Sequence, residues 1–324
     1  MSLAHRRTAH SCIIALLVAA SASCFTGEAA LSLPCVMDAE CGEGQRCLGD
    51  HCALPGSVVC GNGLLDPRAG EQCDEGDANA DDAACTSKCQ LAICGDGLLG
   101  PGEACDSDDR AACTEDCLIV YFADDMESGQ GKWEHAVIDA PPPIGLYSFK
   151  DTWVIQSIDG SRAWTTTNLS LQRGPGSTRL WTQTIDLRGA AAPIELSLRH
   201  RFTFESGIQG IANTDGAILE IAADDGDFEQ LSTPLYNGEI EDNGGCEPLG
   251  PLVGANPLLG LEAFVGPADD WQGDTIDLSA YAGRRVAIGL RAGIDCASHS
   301  GEMPTTTALW EIDDVRVIGG RASP

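Results

Sequence analysis

Alternating apolar and polar positions mark out strands in the part of the chain beyond residue 118. The clearest run is IELSLRHRFTF, eleven residues long, and its apolar side chains fall at every second position: Ile194, Leu196, Leu198, Phe202 and Phe204. Arg285–Arg291 repeats the pattern with Val286, Ile288 and Leu290. A period of two residues is that of a strand with one buried face. Both runs therefore predict half-buried β-strands.

Shorter runs of the same kind are bounded by Gly, Pro, Asp or Asn. They are Thr152–Gln156, Arg179–Leu187, Ala217–Ala222, Phe228–Leu231 and Trp271–Leu278. Asp225-Gly226 lies between two of them and predicts a hairpin turn. No helical period of useful length is present. Roughly ten strands without helices predict an all-β fold, a jelly-roll β-sandwich over residues 118–320.

The order of short motifs in this half resembles a known group of domains. FADDMESGQGKW opens the half at Phe122, and WQGDTIDLSAYAGRRVAIGLR and WEIDDVRV close it at Trp271 and Trp310. These motifs resemble the MAM-like, carbohydrate-binding-module-like jelly rolls that are appended to secreted bacterial proteases and adhesins. The resemblance implies a sandwich whose first and last strands meet at one end. It also implies a glycan or an extracellular protein as the binding partner.

The region from Cys35 to Cys117 has a different composition. It holds twelve of the 16 cysteines and few large apolar residues. Such a segment cannot offset its chain entropy by burial alone, so disulfides of about 2–4 kcal/mol each must stabilise it. We predict disulfides at Cys35, Cys41, Cys47, Cys52, Cys60, Cys73, Cys85, Cys89, Cys94, Cys105, Cys113, Cys117, Cys246 and Cys296. Cys246 and Cys296 are expected to pair with each other, whereas the connectivity of the others stays open.

Residues 57–117 contain an internal repeat. Cys60–Cys89 and Cys94–Cys117 share C-G-[ND]-G-L-L, then G-E-x-C-D, then A-C-T-x-x-C. This motif resembles the Myxococcus cysteine-rich repeat, which implies short extracellular modules of a surface protein. Residues 24–56 form a linker with a four-cysteine module. Zinc binding by these thiolates is disfavoured, because exported cysteines are oxidised and the C-x-x-C pairs of zinc ribbons are missing.

The first 23 residues predict a secretory signal peptide. Arg6 and Arg7 precede the apolar run CIIALLVAA, and small residues follow it. The run is too short to span a bilayer. Ser-Ala-Ser-Cys also resembles a bacterial lipobox, so Cys24 is the expected lipidated residue of an outer-membrane or cell-surface lipoprotein. Cleavage without lipidation, which would give a soluble secreted protein, is the alternative.

The chain carries a net charge of −30, with 49 acidic and 19 basic residues. Such a surface repels phosphate backbones and excludes nucleic acid as a partner. It supplies carboxylates for calcium. We predict a structural calcium site where the first and last strands meet, at Asp125, Glu127, Asp313 and Asp314, with Asp124 beside them.

The closing strand also predicts a β-bulge. Trp310 and Ile312 share one parity, whereas Val315 and Val317 share the other. All four face the core only if the register slips by one residue at Asp313-Asp314.

Catalytic motifs are weak. H-E-x-x-H and G-x-S-x-G are absent from the sequence, and His200 lies on the apolar register of its strand, as a core histidine would. Glu311-Ile312-Asp313 resembles the start of a glycosidase motif, although its last carboxylate is missing. We predict a non-catalytic binding or adhesion protein with a cysteine-rich stalk and a sandwich head. An accessory or inhibitory subunit of a secreted hydrolase, or a polysaccharide-acting enzyme, is the alternative.

Overall fold

The computed structural model describes residues 33–48, 51–54, 60–140, 149–167, 169, 174–205, 213–241, 255–295 and 308–322. The chain forms two compact units, Met1–Ser107 and Asp108–Pro324. The division falls inside the second repeat. Residues just after it lie along the first sandwich strand, because the Val120 N–H donates to the Ala112 carbonyl (3.0 Å) and Cys113 pairs with Ile119. Of the helices in the described ranges, none is long and apolar enough to cross a membrane.

Disulfides replace an apolar core in the first unit. Its secondary structure is a small hairpin and three 3-10 turns: β1 (Arg46–Leu48), β2 (His51–Ala53), Asp38–Glu40, Pro67–Ala69 and Gly76–Ala78. The bonds between described cysteines include Cys35–Cys47, Cys41–Cys52, Cys60–Cys89 and Cys73–Cys85. Cys94, Cys105, Cys113 and Cys117 are also disulfide-bonded. Val36 is 82% exposed and Ile93 is 60% exposed, so the apolar side chains contribute little burial.

The carboxylates of the repeat motif hold backbone N–H groups. In the G-E-x-C-D segment, Glu71 Oε2 accepts from the Asp66 N–H (2.7 Å), and Glu103 Oε2 accepts from the Gly100 N–H (2.7 Å). Because the two copies make the same contact, the motif glutamate has a structural role in each.

The motif aspartate acts in the same way. Asp74 accepts from the N–H groups of Gly61 (3.1 Å) and Gly76 (2.8 Å) and from the Asn79 amide (3.0 Å), which together lower its pKa against the opposing effect of desolvation. Its counterpart Asp106 accepts from the Gly95 N–H. These carboxylates close the turns of each repeat, and the cysteines beside them are oxidised, so neither set resembles a metal site.

The second unit is built from antiparallel strands. In chain order they are β3 (Ile119–Asp124), β4 (Trp133–Asp139), β5 (Trp153–Ile158), β6 (Ser161–Thr166), β7 (Gly176–Thr182), β8 (Ile185–Asp186), β9 (Ala190–Thr203), β10 (Gly216–Ala223), β11 (Glu229–Gln230), β12 (Gly238–Glu239), β13 (Glu262–Ala263), β14 (Pro267–Asp277), β15 (Arg285–Ile294) and β16 (Leu309–Arg321). A 3-10 turn, Ser279–Tyr281, precedes β15.

These strands form two six-stranded sheets. The first has the order β11-β10-β15-β7-β4, with β8 on β15. The second has the order β14-β9-β16-β6-β5, with β3 on β16. β12 and β13 form a separate two-stranded sheet. The first and last strands of the sandwich therefore lie side by side, as the motif order predicts.

One apolar core lies between the two sheets. β15 contributes Val286, Ile288 and Leu290 from the first sheet, and β9 contributes Leu196 and Phe202 from the second. All five are at most 3% exposed. The prediction of an all-β jelly-roll sandwich preceded by a disulfide-rich region is confirmed.

A β-bulge interrupts β16 where the sequence predicts it. Asp313 lies opposite Arg199 and Arg316 lies opposite Ser197, so β16 has one residue more than β9 over this interval. Asp314 takes up the extra length in a left-handed conformation with a φ of 50°. Because of the bulge, the buried side chains on both sides of it face the core.

Candidate functional site

The six tryptophans divide into four core residues and two at the surface. Trp133, Trp153, Trp164 and Trp310 are at most 6% exposed. Trp181 and Trp271 are only partly buried, and each lies on the outer face of a different sheet. An aromatic side chain can offer a face to a ligand only if solvent reaches it, so these two are the candidate platforms.

The ring of Trp271 is covered by arginines. The guanidinium of Arg199 lies 5.2 Å from the ring centre and that of Arg201 lies 5.1 Å from it. The indole N–H points to Asp159 (3.5 Å). Two cations already occupy the face of this ring, so it offers little room for a sugar.

Trp181 lies in the middle of the outer face of the first sheet. It is opposite Gly289 on β15, and Gly289 is opposite Glu220 on β10. A Cβ atom at Gly289 would come within 3.0 Å of the Phe228 ring, so the glycine makes room for this ring above the sheet. The rings of Trp181 and Phe228 are 6.3 Å apart at an interplanar angle of 62°. We call the surface formed by Arg179, Trp181, Glu220, Phe228 and Arg291 the aromatic face.

An ion-pair network fixes the polar groups of the aromatic face. Glu220, whose side chain is 3% exposed, accepts from Arg179 (3.1 Å) and Arg291 (3.2 Å). Arg291 also donates to Asp139, and the Arg179 guanidinium lies 4.3 Å from the centre of the Phe228 ring. Charged pairs held in this way keep one geometry, so the face presents preformed donors beside an aromatic ring.

A second apolar cluster bounds the aromatic face at one end. Ile218 on β10 points to the outer side, where it contacts Ile240, Leu258 and Val265. Close approach is possible because Gly293 has no side chain, since a Cβ there would lie 2.9 Å from Leu258. The β12–β13 segment therefore forms a wall beside an otherwise open sheet face.

No family model matches the chain. A search of curated proteins also finds no match. Solved structures similar to the chain include the carbohydrate-binding module TmCBM61 in complex with β-1,4-galactotriose (9% identity, TM-score 0.33, covering 60% of this chain and 94% of that one). They also include the mannan-recognising module TmCBM27 (10% identity, TM-score 0.33, 62% and 98%) and the K3 cleaved adhesin domain of Lys-gingipain from Porphyromonas gingivalis (16% identity, TM-score 0.31, 62% and 99%). At this level of similarity the matches carry no information about ligands.

The structure brings two of the four predicted calcium residues together. Ser161 Oγ donates to Glu127 Oε1 (2.8 Å) and lies 3.4 Å from Asp313 Oδ2. Asp313 is 2% exposed, and burial, together with the neighbouring Asp314, raises its pKa. Both carboxylates therefore reach one small region beside the hydroxyl of Ser161.

The other acidic residues of this end have different partners. Asp314 accepts from Arg199 (2.9 Å), and Asp125 is exposed and accepts from the Glu127 N–H (3.2 Å). Asp124 is buried, and its two oxygens accept from the Met126 N–H (2.9 Å) and the Trp133 indole (3.0 Å). The predicted set is thus divided between a pair that converges and residues that do not.

A convergent carboxylate group that the sequence did not indicate lies elsewhere. Oxygens of Glu205, Asp215 and Asp295 lie within 4.8 Å of one another. Burial raises the pKa of Asp215 well above its ordinary value, and the nearby Asp295 adds to this effect. The three follow β9, precede β10 and follow β15, so only the folded sheets bring them together.

The candidate catalytic residues are held by structural contacts. Glu311 forms an ion pair with Arg201, and this contact raises the pKa of the arginine. His200 is fully buried, and its Nδ1 accepts from the Trp310 indole (3.1 Å), so its proton is on Nε2, which donates to Asp274 (2.8 Å). Burial lowers the pKa of His200. The prediction of a core histidine is confirmed.

Sequence reasoning did not single out Arg179, Glu220, Phe228 or Arg291. One signal was available, because Glu220 interrupts the apolar strand GAILEIAA. A carboxylate in such a run must find a cation. Cys24, Cys246 and Cys296 lie outside the described residues, so the lipidation site and the second-half disulfide stay predictions.

Proposed function

We propose that the protein is a non-catalytic binding protein whose sandwich domain holds a glycan on the aromatic face. The observation that carries the proposal is Trp181, a half-exposed ring flanked by the fixed ion pairs of Glu220. Sugar recognition combines stacking of the pyranose ring on an aromatic side chain with hydrogen bonds from groups held in place. The aromatic face offers both within one surface.

Replacing Trp181 with alanine is expected to weaken glycan binding by roughly 2 kcal/mol, about thirtyfold, because a ring that anchors a ligand contributes on this scale. Screening the full chain on a glycan array identifies the ligand, and calorimetric titration of both proteins gives the ratio of Kd values. Trp271→Ala is the matched control, since it removes the other half-exposed tryptophan. Equal affinity of Trp181→Ala and the parent chain would exclude the aromatic face, and a parent chain that binds no glycan would refute the proposed function.

The cysteine-rich modules are proposed to act as a stalk on the cell surface. Disulfides in place of an apolar core suit a short spacer outside the cytoplasm. We further propose that Cys24 carries the lipid that attaches the stalk to the outer membrane. In that case the parent protein partitions into detergent and Cys24→Ser does not, and equal partitioning of the two would exclude the anchor.

Calcium is proposed as a structural ion held by Glu127 and Asp313. The fit rests on two carboxylates that meet beside the hydroxyl of Ser161, one of them buried, a donor set of the oxygen type that calcium prefers. A divalent cation would offset the cost of burying the charge of Asp313.

Calcium is expected to raise the Tm of the sandwich. An ion at a hundredfold excess over its Kd adds about 2.7 kcal/mol, and a unit of this size gains about 2–4 °C per kcal/mol. Differential scanning calorimetry with calcium and with a chelator measures the shift. Glu127→Gln combined with Asp313→Asn should abolish it, whereas the exposed Glu229→Gln should not. A Tm that does not respond to calcium in the parent protein would rule out the site.

A further inference from the structure

A cavity of about 390 Å³ opens on the second unit beside the β-bulge. It lies on the outer side of the second sheet, whereas the aromatic face belongs to the first. Its polar lining consists of Arg110, Lys132 and Arg316 together with Asp125, Ser128 and Asp314. Its volume is within the usual range for small-molecule sites, roughly 300–1,000 Å³.

Three chain segments form this cavity. Arg316 on β16 lies opposite Ala123 on β3, whose small side chain leaves the space open. Arg110 is brought alongside by the hydrogen bond between Val120 and Ala112. Lys132 is fixed by donating to the carbonyl of Ala123. The cationic groups of the cavity therefore come from positions that are held by backbone contacts.

The charges of the cavity are unusual for this protein. Acidic residues exceed basic ones by 49 to 19, so a guanidinium has many available partners. The sandwich arginines that do form ion pairs are Arg179, Arg188, Arg199, Arg201, Arg284, Arg285 and Arg291. Arg110 and Arg316 form none within the described ranges, although both line one cavity. Two arginines left without a carboxylate in so acidic a chain point to an anionic ligand.

The other lining groups narrow the class of ligand. Asp125, Asp314 and Ser128 can accept hydrogen bonds from hydroxyl groups. A phosphate or sulfate ion offers no such donors and would be repelled by the two carboxylates. A molecule that carries one carboxylate and several hydroxyls on a ring matches both halves of the lining.

We propose that this cavity binds a hexuronate residue of an acidic polysaccharide. The carboxylate of the sugar lies between Arg110 and Arg316, which donate to it, while its ring hydroxyls donate to Asp125 and Asp314. The site is independent of the aromatic face, because no residue is shared between them. The protein thus has one surface for stacking a sugar ring and another for selecting an acidic one.

Calorimetric titration of the full chain with digalacturonate tests the proposal. A chelator is present throughout, so that calcium cannot bridge the sugar to the protein. We expect saturable binding that weakens with added salt, and a Kd about tenfold higher in Arg110→Gln and in Arg316→Gln, because each variant loses charge-assisted hydrogen bonds. Arg321→Gln on the same strand, which removes an exposed arginine outside the cavity, should leave the Kd unchanged.

Further arms separate this site from its rivals. Galactobiose, which lacks the carboxylate, and glutarate, which lacks the ring hydroxyls, should each bind at least about tenfold more weakly than digalacturonate. Trp181→Ala should bind digalacturonate normally, so that failure of the aromatic face and failure of this site can be told apart. The proposal is overturned if the parent chain does not bind digalacturonate, if both arginine variants bind it as the parent does, or if sulfate or glutarate binds equally well. A calorimetric Tm within about 2 °C of the parent confirms that the variants are folded.

Discussion

Reduction of the disulfides is expected to unfold the first unit and to leave the β-sandwich folded. The buried apolar side chains between Cys35 and Ser107 are largely the cysteines themselves, while leucines and valines there are exposed. Each bond closes a loop of 11 to 29 residues and contributes about 2–4 kcal/mol. A segment of this size without them has a net stability close to zero. The sandwich core contains no cysteine among its described members.

Limited trypsin digestion with and without reductant measures this difference. Cleavage after Lys88 should accelerate at least about tenfold on reduction, because the unfolded population rises with the lost stability. Cleavage after Arg291, within β15, serves as the internal control and should stay slow. Equal acceleration at both sites would mean that the disulfides also hold the sandwich, and no acceleration at Lys88 would mean that the first unit is stable without them.

Replacing Trp310 with alanine is expected to destabilise the sandwich by about 3–5 kcal/mol, the usual cost of removing a large aromatic side chain from a core. Trp310 is fully buried on β16, with ring centres of Trp153, His200 and Phe264 at 5.9, 6.2 and 6.1 Å. Its indole also donates to His200, so the alanine variant leaves a buried nitrogen without its donor.

Chemical denaturation of the purified chain checks the size of this effect. Trp310→Phe keeps most of the apolar volume and should cost clearly less than alanine. Trp181→Ala is the matched control, because it makes the same truncation at a half-exposed position and should cost less than about 1 kcal/mol. Equal losses for the two alanine variants would show that burial of Trp310 does not determine the stability of the core.

Apolar periodicity predicted the parts of the fold that one strand can encode by itself. β9, β15 and β16 show it, and the change of parity between Ile312 and Val315 was enough to locate the bulge. The hairpin between β10 and β11 also forms where Asp225 indicated it. In each case the buried face is written in consecutive residues, so no knowledge of the partner strand is needed.

Strands that depend on their neighbours were missed. β6 has the sequence SRAWTT, and its buried face includes Thr166. The hydroxyl of Thr166 accepts from the Trp310 N–H (2.9 Å), so a polar side chain is satisfied inside the sandwich by a residue far away in sequence. β4 alternates less clearly because it forms one edge of the first sheet.

The candidate sites depended still more on distant contacts. Asp313 and Asp314 are neighbours in sequence, yet Asp314 turns to Arg199, 115 residues earlier in the chain. The aromatic face joins side chains from β7, β10 and β15, and the cavity at the bulge joins Arg110 to Arg316. Composition shows that carboxylates are abundant, but only the folded sheets show which of them already have a cation.

The position of β16 sets the order in which the domain can be completed. This strand is hydrogen-bonded to β9 on one side and to β3 and β6 on the other, so it lies at the centre of the second sheet. β3 and β9 are synthesised long before Leu309–Arg321, and until that segment leaves the ribosome they have no strand to join them. The nascent domain therefore stays open during most of its translation, which at roughly 5–20 residues per second lasts many seconds. A chain that crosses a membrane unfolded would benefit from this delay, because its final sheet can close only after the last strand has followed the others.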